Sequence, residues 1–338
     1  MPSPQIEPPE ELRNRRRASR RATRRRRYQA AGLITLLILS VGVVLLGDIS
    51  GVQSGNSPVT SQTTPSHAPS SHGTSDPQGQ AGNTVSANRA TGPGRAEASN
   101  TVAVPILMYH VIAAPPPGAP FPGLYVAPAE FAAQVQALKN AGYHAVTLDQ
   151  VQAHWRSGAS LPAGKPIVLS FDNGYQSQYT QALPVLQQLG WAGVENIQLS
   201  GLPPSQGGFG QGQIHGLIAA GWELDTQGFS HADLITLDAQ QLHYQVDDAR
   251  RVLQQRYHVP VNWFCYPSGH YNATVIAAVK AAGYAGSTTV IPGWAHPGDD
   301  PNRLHRLRVL GGTSPAALLA QIASSREDPP APASYNGA

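Results

Sequence analysis

Lys165-Pro166-Ile167-Val168-Leu169-Ser170-Phe171-Asp172-Asn173-Gly174-Tyr175 begins as a short apolar run of the buried-strand type and closes in a polar turn. The same strand-then-helix pattern extends to both sides. Upstream, 104–112 is another apolar run, and 128–141 places Phe131, Val135, Leu138 and Ala141 on one helical face before Gly142. A strand over 144–148 follows, with Asp149 as the cap of a short helix. Downstream the pattern predicts a helix over 176–189, a strand over 194–199 and a helix over 213–220. A strand ending after Trp222-Glu223-Leu224 precedes the longest helix, 237–257, with Leu242, Val246, Ala249 and Leu253 on one face. Strand 261–266, helix 273–282 and strand 285–290 complete the series. Across 104–326 this alternation, at about 30 residues per unit, predicts a parallel α/β domain of seven to eight units. A (β/α) barrel of a deformed TIM-like kind fits best, and an open doubly wound sheet is the alternative. No Gly-x-Gly-x-x-Gly follows a strand to mark a dinucleotide site.

The rest of the 338 residues reads as a membrane tether. Residues 1–27 hold ten Arg against Glu7, Glu10 and Glu11, a local charge of +7; the formal net charge of +3 therefore leaves −4 for the remainder. The basic balance belongs to a tail, so it does not predict a nucleic-acid-binding domain. Residues 30–47 carry no charge and as a helix would cover about 27 Å, enough for a bilayer core. The segment 28–47 is read as a transmembrane anchor. The Arg cluster before it keeps the N-terminus in the cytoplasm, contacts anionic lipid headgroups and sends the domain outside. A cleavable signal peptide is the rival, but residues after the span lack a clear small-x-small site. Residues 48–103, rich in Ser, Gly, Thr and Pro, read as a disordered linker, and 327–338 as a disordered tail. The single cysteine, Cys265, excludes an internal disulfide and any multi-cysteine metal site.

In a barrel, chemistry sits at the C-terminal ends of strands. There the sequence places Tyr109-His110, then Asp172-Asn173-Gly174-Tyr175, then Asp225 to His231, and Tyr266-Pro267-Ser268-Gly269-His270-Tyr271. Together these offer a carboxylate, imidazoles and phenols to one pocket. Pro105-Ile106-Leu107-Met108-Tyr109-His110, Ser170-Phe171-Asp172-Asn173-Gly174-Tyr175, Ser230-His231-Ala232-Asp233-Leu234, Phe264 to Asn272, and Asp300 to Val309 occur in the order of five known motifs. On these residues the chain resembles the polysaccharide deacetylases, carbohydrate esterase family 4 with the NodB-homology fold, in the subgroup whose Met-Tyr-His strand comes first.

The resemblance implies a hydrolase that removes N-acetyl or O-acetyl groups from a cell-wall or secreted glycan, with an acetylated polysaccharide or peptidoglycan as partner. It implies Asp172 as general base, His110 as general acid and His231 as a ligand of a divalent metal, zinc, cobalt, nickel or manganese. An amide is a poor electrophile, so a Lewis acid and a positioned base share the barrier. Tyr109, Tyr175, Tyr266, Pro267, Gly269, Tyr271 and Trp294 are candidate substrate contacts. The departures are specific. Asn173 stands at the position of the metal-binding aspartate and Gln227 at that of the first ligand histidine, and neutral amides bind zinc poorly. Cys265 stands where many members carry an arginine that orients the base. Asp225 is the nearest substitute ligand, with His215 and His270 behind it. Asp172 itself could turn to the metal, or the site could have lost its metal and bind glycan without cleaving it.

Overall fold

Val104–Tyr109 is apolar and buried at every position, as a strand covered on both faces must be. It forms β1. The computed structural model describes residues 101–202 and 207–337; the basic tail, the 28–47 span and nearly all of the linker lie outside them. Among the described residues no helix is long and apolar enough to cross a membrane. The further strands are β2 (Tyr143–Ala145), β3 (Lys165–Asn173), β4 (Val194–Ile197), β5 (Glu223–Thr226), β6 (Trp263–Cys265), β7 (Gly286–Thr288), β8 (Trp294–Ala295) and β9 (Leu307–Arg308).

The ladder runs β7-β6-β5-β4-β3-β1, and every neighbouring pair on that path is parallel. β2 pairs with β3 and β9 with β1, both parallel, while β8 lies antiparallel on the start of β1. Leu304 bridges Thr288 at the other edge. The short 304–308 segment thus hydrogen-bonds to both ends of the path, and the parallel strands curl towards each other, with helices on the outside.

The period of two along each strand decides what faces the interior. Val104, Ile106, Val168, Val194, Trp263 and Leu304 share an inner apolar cluster. The alternate residues Leu107, Tyr109, Leu169 and Phe171 pack outward against the helices Pro128–Asn140, Leu183–Gln187 and Pro315–Ser324. Four residues beyond Ile106 and Val168, the same faces carry His110 and Asp172. The fold thereby brings polar strand ends to one mouth.

Several elements differ from the sequence reading. The helix expected over 176–189 opens as a π-helical turn, Gln178–Ala182, before Leu183–Gln187. The long helix is likewise interrupted by the π-helical Tyr244–Asp248. Thr147, not Asp149, caps Leu148–Ser157, through a reciprocal pair with Gln150. The Asp149 carboxylate instead accepts hydrogen bonds from Asn262 Nδ2 at 2.8 Å and Trp263 Nε1 at 3.0 Å. Residues 327–337, whose Pro-rich composition reads as a disordered tail, lie back on the domain. Tyr335 exchanges two main-chain hydrogen bonds with Tyr271, at 2.8 and 2.9 Å. The Arg303 guanidinium donates to the Ala331 carbonyl at 3.0 Å, and the Tyr271 hydroxyl to that of Pro332 at 2.8 Å. Prolines cannot continue a helix, but the main-chain carbonyls of such a segment still accept, and Tyr271 and Arg303 supply donors.

Candidate active site

The pocket at the strand ends encloses about 370 Å³. Its walls bring together His110 after β1, Asp172 and Asn173 of β3, Tyr175, Gln227 after β5, His231, Tyr266, Gly269, Arg306 and Arg308. Eight residues singled out from the sequence therefore meet in one place. The loops that carry them are conformationally special. Asn173, His231 and Ser268 are non-glycine residues in the left-handed region, with φ of 81°, 54° and 57°, and each lines the pocket. Such positions cluster where a site needs a side chain aimed against local preference. Gly269 has φ of 76°, and a Cβ there would collide with the Val290 side chain.

Asp172 is the centre of the hydrogen-bonding network. Its Oδ1 accepts from Arg306 Nη1 at 2.7 Å and Asn196 Nδ2 at 2.9 Å, and its Oδ2 from Arg306 Nη2 at 2.9 Å. Burial alone would raise its pKa, but the Arg306 guanidinium and the other donors outweigh that and hold it at about 2. Arg306 is itself fully buried, and its Nε donates to the Thr289 carbonyl at 2.7 Å. The Cys265 sulfur receives Arg306 Nη2 at 3.2 Å and Gln227 Nε2 at 3.4 Å, and the thiol faces Asp172 Oδ2 at 3.6 Å. Burial pushes that thiol up to about 12, so it is protonated and unreactive at neutral pH.

His110 Nε2 stands 3.9 Å from Asp172 Oδ2, and its Nδ1 is buried without a hydrogen-bond partner. Burial is the largest influence on His110 and lowers its pKa to about 4, against the opposing pull of Asp172. Gln178, wholly buried on the π-helical turn, donates from Nε2 to the main-chain carbonyls of both His110 and Asp172, each at 2.8 Å. It ties the ends of β1 and β3 together. Sequence reasoning passed over Arg306, Asn196 and Gln178. For Asn196 a signal existed, since β4 pairs it in register with Asp172. For Gln178 there was none.

Other candidates are not brought to the pocket. Tyr109 faces outward by the period of two, and its hydroxyl donates to Gln134 at 3.1 Å in the helix layer. Tyr271 is buried under the C-terminal segment, and the Trp294 indole donates to the Ile322 carbonyl at 2.8 Å. Pro267 begins the tight turn without lining the cavity. Asp225 does not line the pocket, and its Oδ1 takes the main-chain N–H groups of Asn262 and Trp263 at 3.1 and 2.8 Å. Burial and the neighbouring Glu223 carboxylate also raise its pKa well above the usual range. His215 packs edge-on against Tyr257, and His270 pairs with Asp233 at 2.9 Å.

The residues present do not fit the metal of the related hydrolases. The three expected positions hold one imidazole and two neutral amides, and Asp172 is already neutralised by Arg306. No anionic donor is left to offset a divalent charge, and Arg306 and Arg308 both line the cavity. Among the described residues the one His/Asp/Glu/Cys cluster close enough to share a cation, His243, Asp247 and Asp248, is outside this pocket. Asn173 Oδ1 and Gln227 Oε1 are buried without partners. As acceptors they suit the hydroxyl or amide hydrogens of a neutral ligand.

Residues 160–287 match the family described as polysaccharide deacetylase, a range that excludes both His110 and Arg306. The chain is 27% identical over 223 residues to the Bacillus subtilis (strain 168) protein YxkH, itself assigned to the polysaccharide deacetylases, covering 66% of this chain and 77% of that one. The deacetylase PplD of Streptococcus pyogenes, solved with acetate, superposes with a TM-score of 0.61 at 26% identity, over 68% of this chain and all of that one. A polysaccharide deacetylase from Bacillus cereus gives a TM-score of 0.58 at 25% identity, over 65% and 69% of the two chains.

Proposed function

Because the chain carries a polysaccharide deacetylase domain, we propose that it is a membrane-anchored, extracytoplasmic hydrolase of acetyl groups on a cell-wall or secreted glycan. The observation that carries the reading is the pairing of ionised Asp172 with neutral His110 in the wall of the strand-end pocket. Such a pair can take one proton from an attacking water. The proton rests best on His110, since an imidazolium gains from the facing carboxylate, whereas protonating Asp172 would forfeit charge-assisted bonds from Arg306. His110 then hands it to the departing oxygen or nitrogen. Of the two linkages, an O-acetyl ester is the easier for a site without a Lewis acid, because its carbonyl is more electrophilic than that of an amide. Acetate release from O- and N-acetylated glycans tests the assignment. His110→Ala and Asp172→Ala are each expected to lower the rate by about 10²-fold or more; full activity in either variant would overturn the roles.

The location rests on the apolar span at 28–47 and the Arg cluster before it. Protease added to intact cells should remove the barrel and spare the N-terminal tail. A second reading, a barrel that binds glycan without cleaving it, is favoured by the two amides at ligand positions. Retained glycan binding with no acetate from any acetylated substrate would select it.

A further inference from the structure

Residues 327–337 line no part of the active-site pocket, yet they grip two of the segments that wall it. At one end the Pro329 carbonyl lies 3.1 Å from His305 Nε2, and the Ala331 carbonyl accepts from Arg303. Arg306, which pairs with Asp172, is the next residue of that segment. At the other end Tyr335 exchanges its two main-chain hydrogen bonds with Tyr271, whose hydroxyl donates to Pro332. Tyr271 in turn stacks on Tyr266 with 4.9 Å between ring centroids, and Tyr266, Ser268 and Gly269 are pocket wall.

A third wall segment is reached through His270. The Tyr335 ring stands edge-on to that imidazole at 6.3 Å, and Gly337 lies so close that a Cβ there would collide with it. His270 Nδ1 meets Asp233, two residues after His231. Both turns need such support. His231 and Ser268 hold left-handed backbone, which persists in a non-glycine residue only where the surroundings enforce it. The segment that helps to enforce it is lightly held: Ala331 is buried, but Pro332, Ala333 and Ser334 are exposed. With so few buried contacts it opens at far less cost than the barrel beneath it.

We propose that residues 327–337 are a strap that shapes the active site. Docked, it holds the Tyr266–Gly269 wall and the His231 turn in place; released, it lets both relax and opens the pocket. Tyr335 is its positioning residue, acting through Tyr271 and His270.

Cys265, the single cysteine of the chain, reports on this state. It adjoins Tyr266, is wholly buried and faces Asp172, so a thiol reagent reaches it when that wall opens or the chain unfolds. Labelling of the full chain with an aromatic disulfide is compared at the same interval below each variant's Tm. Removal of 327–338, and Tyr335→Pro, which deletes the N–H donated to Tyr271, should each label about tenfold faster than wild type. Tyr335→Phe keeps every one of these contacts and should label at the wild-type rate. Val135→Ala, a core truncation in the helix layer, controls for lost stability and should stay slow. Wild-type rates in both strap variants, or rates no faster than that of Val135→Ala, would overturn the strap. Acetate release on the same samples tests the hydrolase separately. Faster labelling with no acetate from wild type would sink the hydrolase reading and leave the strap standing.

Discussion

Arg306 and Asp172 form the ion pair around which the pocket is built. Both are buried, and the guanidinium meets the carboxylate through two parallel hydrogen bonds. Removing one partner strands the other charge. Arg306→Met is expected to cost about 3–5 kcal/mol in denaturant unfolding, and Asp172→Asn, which keeps the shape, should cost less. The pair also sets an acid limb. A carboxylate whose folded pKa is depressed stabilises fully above its unfolded value and loses that contribution as pH falls through the folded one. With Asp172 held at about 2, on the order of 2 kcal/mol should disappear between about pH 4 and pH 2, and Asp172→Asn should lack that step. Buried neutral His110, lowered to about 4, adds to the same limb from its unfolded value near 6.5 downward. The sequence marked Cys265 as a lost arginine but did not reveal its replacement. Arg303, Arg306 and Arg308 all lie near the last strand, and which of them meets Asp172 depends on the register of a two-residue strand. No periodicity can be read from so short a run.

At the scale of elements, the strand–helix alternation was legible because parallel strands buried on both faces are continuous apolar runs. The π-helical turns were not, since a single inserted residue leaves helical composition unchanged. β8 and β9 were too short to carry a pattern of their own. The C-terminal segment was misread because its affinity lies in its carbonyls, which composition does not show. It contacts Tyr271 and Arg303 through main-chain groups and packs Ala331 against the domain. Deleting 327–338 should therefore destabilise the barrel by about 1–3 kcal/mol, lowering Tm by about 2–4 °C per kcal/mol. An unchanged Tm would show that these contacts contribute nothing to stability.

For the whole molecule, the charge balance separates a +7 tail from a −4 remainder, and the proposed topology gives each its side of the membrane. The motifs were legible in sequence, and the fold brings eight of their residues to one cavity, yet their chemistry is not that of the usual metal site. Asn173 and Gln227 supply orphaned carbonyls, while the one carboxylate is committed to Arg306. The central claim is that acetyl hydrolysis here is carried by His110 and Asp172. The direct measurement is acetate release by the full chain from an acetylated oligosaccharide, before and after dialysis against a chelator. The account predicts release at the same rate in both samples and none from His110→Ala. Absence of release, or release that vanishes on chelation and returns with added zinc, would contradict it.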